Sequence, residues 1–396
     1  MVERAMPASS EPFILFRDDV EQQSMLFNRP EQLIIIEQAS DFEAGFAALE
    51  AAHRQGKWLA GYFSYEAGFL LEPKLAPLLP EERRVPLICF GVFSEPPADI
   101  PAGNGNTGTN AHLSDFHAHW SETDYQQRFQ RLHRHLREGD CYQGNLTFPI
   151  SARYHGEPEA LFADLSNRQP VRYSAYVNLT AQDKAPLILS RSPELFFQIN
   201  KDGWIETHPM KGTTPRGATP QEDDALRDFL IHDEKSQAEN RMIVDLLRND
   251  ISLISEVGSL SVPKIFHVER YPTVHQMVSH VRAKLLPDLT LRQIFAALFP
   301  CGSVTGAPKI SAMTILHKLE QQARDIYCGS IGWIAPSGEM RFNVAIRTLS
   351  LYPDGEVVLN VGGGVVYDST AEAEYAECLL KARYATGENT VSGIRE

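Results

Sequence analysis

Between residues 121 and 150 the spacing of apolar side chains switches from a helical period to a strand period within a few positions. Ser121 is suited to cap a helix, with Asp124 three residues on. Tyr125, Phe129, Leu132 and Leu136 then fall on one helix face, and Gly139 is suited to end it. From Cys141 to Ile150 the pattern alternates: Leu146, Phe148 and Ile150 point one way, Gln143, Asn145 and Thr147 the other. The spacing therefore predicts a helix followed by a strand with one apolar and one polar face. A polar strand face in mid-chain is either solvated or part of a site, and the segment alone leaves both open.

The stretch Thr207–Gly217 reads T-H-P-M-K-G-T-T-P-R-G. Pro209 ends any strand, and Gly212, Pro215 and Gly217 predict a turn. Lys211 in its middle is either a solvated turn lysine or, with Gly212 permitting close approach of a ligand, an amine aimed into a pocket. Thr219 and Glu222 form a capping box with Pro220 at the first helical position. A second helix is predicted over His232–Arg248, with Glu239 on the same stripe as Met242, Ile243 and Leu246. Burying that carboxylate unpaired costs several kcal/mol or shifts its pKa, so it either has a function or pairs with a neighbour such as Arg241.

Farther on, Phe299–Leu316 runs from a Gly/Ser/Thr loop into a helix with Pro308 at its start, a junction suited to an anion. It lacks the G-K-[ST] element of a nucleotide-binding loop. Two strands are predicted over Tyr327–Ala335 and Met340–Tyr352, the second with Asn343 and Arg347 on one face. The last helix is expected to be capped by Ser369 with Glu372. It carries Glu374, Glu377, Lys381 and Tyr384 on one stripe. That stripe is either an exposed face with a Glu377–Lys381 pair, or carboxylates for a hard cation beside a lysine for a substrate carboxylate.

The bulk properties restrict the partners. A net charge of −14 argues against nucleic acid or an anionic membrane, since nothing offsets phosphate repulsion. No apolar run approaches a membrane span, and no signal-like apolar segment opens the chain. Five scattered cysteines without a C-x-x-C suit reduced thiols, and a cytoplasmic location is expected. The Pro/Gly/Asn/Thr-rich run Ala98–His112 is read as a linker or long surface loop. It separates an N-terminal domain over 1–118 from a catalytic domain over 119–386.

Eight segments taken in order resemble the chorismate-utilising enzymes, the family of anthranilate synthase component I, aminodeoxychorismate synthase component I, isochorismate synthase and salicylate synthase. They are G-D-C-Y-Q-G-N-L (Gly139–Leu146), S-R-S-P-E-L-F (Ser190–Phe196), P-M-K-G-T-T-P-R-G (Pro209–Gly217) and A-E-N-R-M-I-V-D-L-L-R-N-D (Ala238–Asp250). The others are G-A-P-K (Gly306–Lys309), Y-C-G-S-I-G (Tyr327–Gly332), A-I-R-T (Ala345–Thr348) and the run from G-G-G-V-V-Y-D-S to Ala382. The resemblance covers about Ser121–Thr386; G-Y-F-S-Y-E-A-G extends it more loosely into the N-terminal part.

This resemblance implies an α+β fold of two antiparallel β-sheets packed as a sandwich with helices outside. It implies Mg²⁺ held by Glu239 and Glu377, with Glu374 close behind. Around the two carboxylates of chorismate it places Gln143, Thr213, Gly306, Ala307, Lys309, Tyr327, Arg347, Lys381 and the loop backbone at Gly363 and Gly364. Gln143 stands where the water-adding members carry a lysine base. Lys211 stands where anthranilate synthases usually carry alanine, and is the mark of the aminating members. In those the lysine attacks C2 of chorismate as the C4 hydroxyl leaves, ammonia enters at C4, and Glu194 matches the acid on the departing hydroxyl.

The implied function is amination of chorismate to 4-amino-4-deoxychorismate, on the route to p-aminobenzoate and folate. Anthranilate synthase component I, or a non-catalytic chorismate-binding relative, is the alternative. Without a G-x-C-x-G elbow, the chain is expected to use free ammonia or a separate glutamine amidotransferase. Gln276 departs from the pattern, standing where many relatives carry histidine, and no L-L-E-S-like element of a tryptophan feedback site is found.

Overall fold

The computed structural model describes residues 11–101, 111–179, 185–271, 274–387 and 391. Twenty strands form two ten-stranded antiparallel sheets. The first runs Gly306–Ala307, Gln143–His155, Glu356–Val365, Thr348–Leu351, Leu187–Ser192, Tyr173–Asn178, Phe13–Asp18, Gln23–Asn28 and Ala98–Pro101; His112–Ala118 also pairs with Gln143–His155. The second runs Met210–Pro215, Val274–Lys284, Trp204–Thr207, Leu195–Ile199, Met340–Asn343, Ser330–Ile334, Trp58–Phe63, Ile88–Phe93 and Gln32–Ile36; Ser261–Arg270 also pairs with Val274–Lys284. Residues on both sides of position 118 share both sheets: Phe13–Asp18 pairs with Tyr173–Asn178, and Trp58–Phe63 with Ser330–Ile334.

The sheets pack through apolar residues of their inner faces. Ile14, Ala175, Val177 and Ile188 of the first join Ala60, Tyr62, Cys89 and Ile331 of the second in one buried cluster. Helices cover the outer faces. Leu146, Phe148 and Ile150 are buried with Tyr125, Phe129 and Leu132 of helix Glu122–Glu138 and with Tyr375, Cys378 and Ala382 of helix Ala371–Thr386. Behind the second sheet, Ile205, Val281 and Ala283 cluster with Ile243, Val244 and Leu247 of helix Glu234–Ser252 and with Phe295 of helix Leu291–Leu298. Full burial of each large apolar side chain contributes roughly 1.5–3 kcal/mol. The expected α+β sandwich is the observed fold.

The first predicted helix matches closely. Ser121 and Asp124 form a reciprocal capping box, and Gly139 ends the helix in the left-handed region at φ 79°. Elsewhere tertiary structure altered the local expectation. Ala98–Pro101 is an edge strand rather than linker, because it pairs with Gln23–Leu26; the remainder of that run, 102–110, lies outside the described residues. Thr207–Gly217 is not a simple turn, since Met210–Pro215 forms a strand against Val274–Lys284. The single strand expected over Met340–Tyr352 is two strands, one in each sheet. The chain crosses between sheets at Val344–Arg347, where Arg347 adopts φ 51°. The C-terminal helix is capped by Thr370, whose side chain accepts from Ala373 N; Ser369 instead donates to Glu374. All five cysteines are buried free thiols. No helix among the described residues is long and apolar enough to cross a membrane.

Candidate active site

Over Gln143–Thr147 the polar face of strand Gln143–His155 is buried, not solvated. Gln143, Asn145 and Thr147 are 1%, 6% and 1% exposed. Two of the three are fully engaged. Asn145 donates to Val304 O (3.0 Å), and Thr147 donates through both N and Oγ1 to Glu320 Oε1 (3.0 Å each). Arg324, itself buried, holds Glu320 through two bonds of 2.9 and 2.8 Å and caps the Asn145 and Val304 carbonyls. Gln143 differs: its Nε2 is buried without a hydrogen-bond partner. Such a donor costs about 1–3 kcal/mol unless something binds it. It points towards Gly364 on the neighbouring strand, where a Cβ would stand 3.2 Å from Gln143 Nε2 and 3.4 Å from Lys211 Nζ. Two segments 68 residues apart in sequence (211 − 143) thus converge on one glycine.

Lys211 reaches this point from a bulge. Pairing with the neighbouring strand shifts register between Met210 and Thr213, and Gly212 has φ 87°. A bulge frees a residue from the ladder and re-aims its side chain. A close neighbour that requires glycine at 212 is Ser236 of helix Glu234–Ser252, 2.6 Å from a would-be Cβ. Opposite, Glu194 is 7% exposed and accepts a 2.7 Å hydrogen bond from Ser303. Burial pushes its carboxyl up; the Ser303 bond and the charges of Lys211, Arg347 and Lys381 pull the other way without cancelling the effect.

The cations around the site differ in how they are paired. Neither Lys211 nor Arg347 has an ion-pair partner among the described residues. Burial pushes the Arg347 guanidinium down, against the favourable influence of Tyr384 and Glu194. Lys381 contacts Gly362 O (2.9 Å) and Glu377 (2.8 Å). Tyr327 is buried, and that burial raises its hydroxyl well above the ordinary range. Gly306 and Ala307 pair with Gly144 and Gln143, and a side chain at 306 would collide with the Gln143 backbone. A buried amide donor without a partner, and a lysine and a half-buried arginine without an ion pair among the described residues, are groups suited to an anion.

The carboxylates lie to one side. Glu374 and Glu377 share a face of helix Ala371–Thr386. Burial pushes Glu374 up, the Ser369 bond lowers it, and Glu377 raises it further, so the two acids are close enough to repel. For Glu377, burial is outweighed by Lys381, Lys211 and Lys235, and its carboxyl lies below the ordinary range. Glu239 differs from expectation. It lies beside the buried stripe Asn240–Ile243–Val244–Leu247, and its nearest cation is Lys235 at 4.0 Å rather than Arg241. The three carboxylates are not drawn together: among the described residues, the only group of three or more metal-ligating residue types with ligand atoms within 4.8 Å of one another is His135, Glu138 and Asp140, which lies partly exposed at a helix end. Mg²⁺ keeps several waters and needs only one or two carboxylates, so an oxygen-only, mutually repelling Glu374–Glu377 pair fits it.

Two expected substrate contacts are otherwise engaged. Lys309 pairs with Asp250 (2.8 Å) and Leu298 O (2.9 Å), which also gives the reason for a lysine in the first turn of its helix. Thr213 donates to Gln276 (2.8 Å). Sequence reasoning passed over Ser303, although it lies in the P-C-G-S run beside Cys301, and over the Glu320–Arg324 pair, whose i, i+4 spacing resembles that of any exposed helix pair.

Comparison with known proteins places the chain in a family. The profile described as "chorismate binding enzyme" matches residues 11–387. Aminodeoxychorismate synthase component 1 of Klebsiella aerogenes is 42% identical over 268 residues, 68% of this chain and 58% of that protein. The protein of the same name from Escherichia coli (strain K12) is 41% identical over the same lengths. The chain therefore spans less than two thirds of the length of these relatives. Anthranilate synthase component I from Streptococcus pneumoniae TIGR4 superposes with a TM-score of 0.76 at 26% identity, covering 97% of this chain and 93% of that one. With a family match running through both sheets and every segment of the site, the chain belongs to the chorismate-binding enzymes.

Proposed function

We propose that the chain is the aminating component of an aminodeoxychorismate synthase, converting chorismate and ammonia to 4-amino-4-deoxychorismate for p-aminobenzoate and folate synthesis. The carrying observation is the Lys211 amine, beside the unpartnered Gln143 amide and Gly364, with buried Glu194 across the site. In this reading Arg347 and Lys381 receive the carboxylates of the substrate, and Gln143 donates to it. Gly364 keeps the floor open, because a methyl group there would crowd both Gln143 and Lys211. Gln143 is not a base at neutral pH, so the residue that would activate water in a hydrating relative is missing.

The Lys211 amine attacks C2 as both conjugated ring double bonds shift, C1=C2 to C1=C6 and C5=C6 to C4=C5, and the C4–O bond breaks. Glu194, whose carboxyl burial raises above the ordinary range, supplies the proton that leaves with the hydroxyl as water. Ammonia then bonds to C4, both double bonds shift back, and the C2–N bond breaks to return the amine of Lys211. Glu374, Glu377 and Glu239 would hold Mg²⁺, which when bound offsets their charge and that of the substrate carboxylates. A separate glutamine amidotransferase is the proposed source of ammonia, in keeping with the "component 1" in the names of the relatives.

The test is a product assay with chorismate, Mg²⁺ and excess ammonium at mildly alkaline pH, read by mass spectrometry. An aminated product that keeps the pyruvyl group is expected. Anthranilate plus pyruvate, or unchanged chorismate, would overturn the proposal. Lys211→Ala should abolish amination while leaving Mg²⁺ affinity nearly unchanged.

A further inference from the structure

We infer that Gln276 and Thr213 form a clamp that positions the Lys211 amine by closing the strand bulge on which it stands. This rests on the reading of Lys211 as the nucleophile. Gln276 lies on the strand opposite the bulge, in register with Thr213. Its amide uses both ends on the same segment: Nε2 donates to Gly212 O (2.8 Å), and Oε1 accepts from Thr213 Oγ1 (2.8 Å). The two bonds lie immediately after Lys211 and bridge the point where regular pairing is lost.

The segment is also pinned before Lys211. Ser279 N donates to Pro209 O (3.1 Å), and Ser279 Oγ donates to Asn240 Oδ1 (2.5 Å) of helix Glu234–Ser252. From the same helix Ser236 presses on Gly212, so the bulge cannot collapse towards it. Lys211 thus stands between two fixed points, Pro209 and Gly212, and its long side chain is the part left free to extend towards Gly364. Its neighbour His275 serves a separate purpose. It is fully buried on the other face of the strand, and its Nε2 bonds Asp223 Oδ1 (2.8 Å), fastening the strand to helix Pro220–His232. Gln276 is therefore a positioning residue acting through the backbone at 212 and the hydroxyl at 213.

A displacement of about 1 Å at a reacting group can lower the rate about 100-fold. Gln276→Leu is accordingly expected to lower kcat for ammonia-dependent amination by about 100-fold with KM for chorismate changed by less than about threefold. Thr213→Val should lower kcat in the same direction, and Thr213→Ser, which keeps the hydroxyl, should restore it. The readout that a purely structural role would not move is capture of the amine itself. The folded variants are treated with a small carbonyl reagent and borohydride, and labelling of Lys211 is measured by peptide mass spectrometry. Labelling should fall in Gln276→Leu and Thr213→Val and recover in Thr213→Ser. Full activity and full labelling in both loss variants, beside an inactive Lys211→Ala, would overturn the clamp alone. Full activity in Lys211→Ala would overturn the nucleophile reading and the clamp's catalytic meaning with it. If Gln276→Leu fails to fold, the Thr213 pair decides, since it changes only an exposed side chain.

Discussion

Ser303 donates a 2.7 Å hydrogen bond to Oε1 of Glu194, a carboxyl group otherwise buried among cations. The bond favours the ionised acid, yet burial outweighs it, and the group stays above the ordinary carboxyl value of 4.5. Protonated Glu194 is the active form in the proposed chemistry, so kcat should fall as pH rises through the raised pKa. Ser303→Ala removes a lowering influence and should move that fall to higher pH. Glu194→Gln should reduce kcat by about 10²–10⁴-fold and abolish this limb of the profile. The check is kcat against pH for the three proteins; an unmoved limb in Glu194→Gln would assign it to another group.

Gly364 marks where substrate must approach the lysine. A methyl group there would stand 3.2 Å from Gln143 Nε2 and 3.4 Å from Lys211 Nζ, both ends of flexible side chains. Gly364→Ala should therefore fold with an unchanged thermal midpoint while losing about tenfold or more in kcat/KM. Chorismate titration alongside thermal unfolding separates the two effects.

Glu377 is half exposed and Glu374 bonds only Ser369, so neither is essential to the core. Glu377→Gln should weaken Mg²⁺ binding by about 10- to 100-fold, as for other changes at metal sites, with little effect on unfolding. Calorimetric Mg²⁺ titration measures this, and an unchanged affinity would remove Glu377 from the ligand set.

Two buried groups make stability depend on pH in opposite directions. Glu66 is raised well above 4.5 by burial and by Asp325, and one of its oxygens is buried without a partner. The native state then holds a proton that the unfolded state has released, so stability falls as pH rises above the ordinary carboxyl range. His208 is lowered from 6.5 to about 4 by burial and by the stacked His280 ring. Its contribution is complete above 6.5 and is lost as pH falls towards about 4. Glu66→Gln should flatten the alkaline decline in denaturant midpoint, and His208→Gln the acid one.

Much of this was legible in sequence because local spacing reports local structure. The cap at Ser121, the left-handed stop at Gly139 and the alternation along Gln143–Ile150 depend on residues within a turn or a pleat of each other. The motif order also brought Gln143, Glu194, Lys211, Arg347 and the glycines of 362–364 under consideration. Two expectations failed for a common reason. The alternation through Met340–Tyr352 reads as one strand, but the φ of 51° at Arg347 and the pairing of each half with a different sheet divide it. Lys211 reads as a turn residue because proline and glycine flank it, whereas pairing of Met210–Pro215 with strand Val274–Lys284 makes it part of a bulge.

Sequence by itself determined which side chains share a face, where helices begin and end, and which residue types are available for amination rather than hydration. Tertiary structure alone decided what each face meets: that the polar side of Gln143–Thr147 is buried, that Ser303 holds Glu194, and that Gln276 bonds the backbone of Gly212. Periodicity is a property of neighbours along the chain, whereas burial and ion pairing depend on segments brought together from far apart. The charge on Lys211 has its surroundings set by strands 68 residues before it and 153 residues after it (211 − 143 and 364 − 211), a separation over which no local pattern carries information.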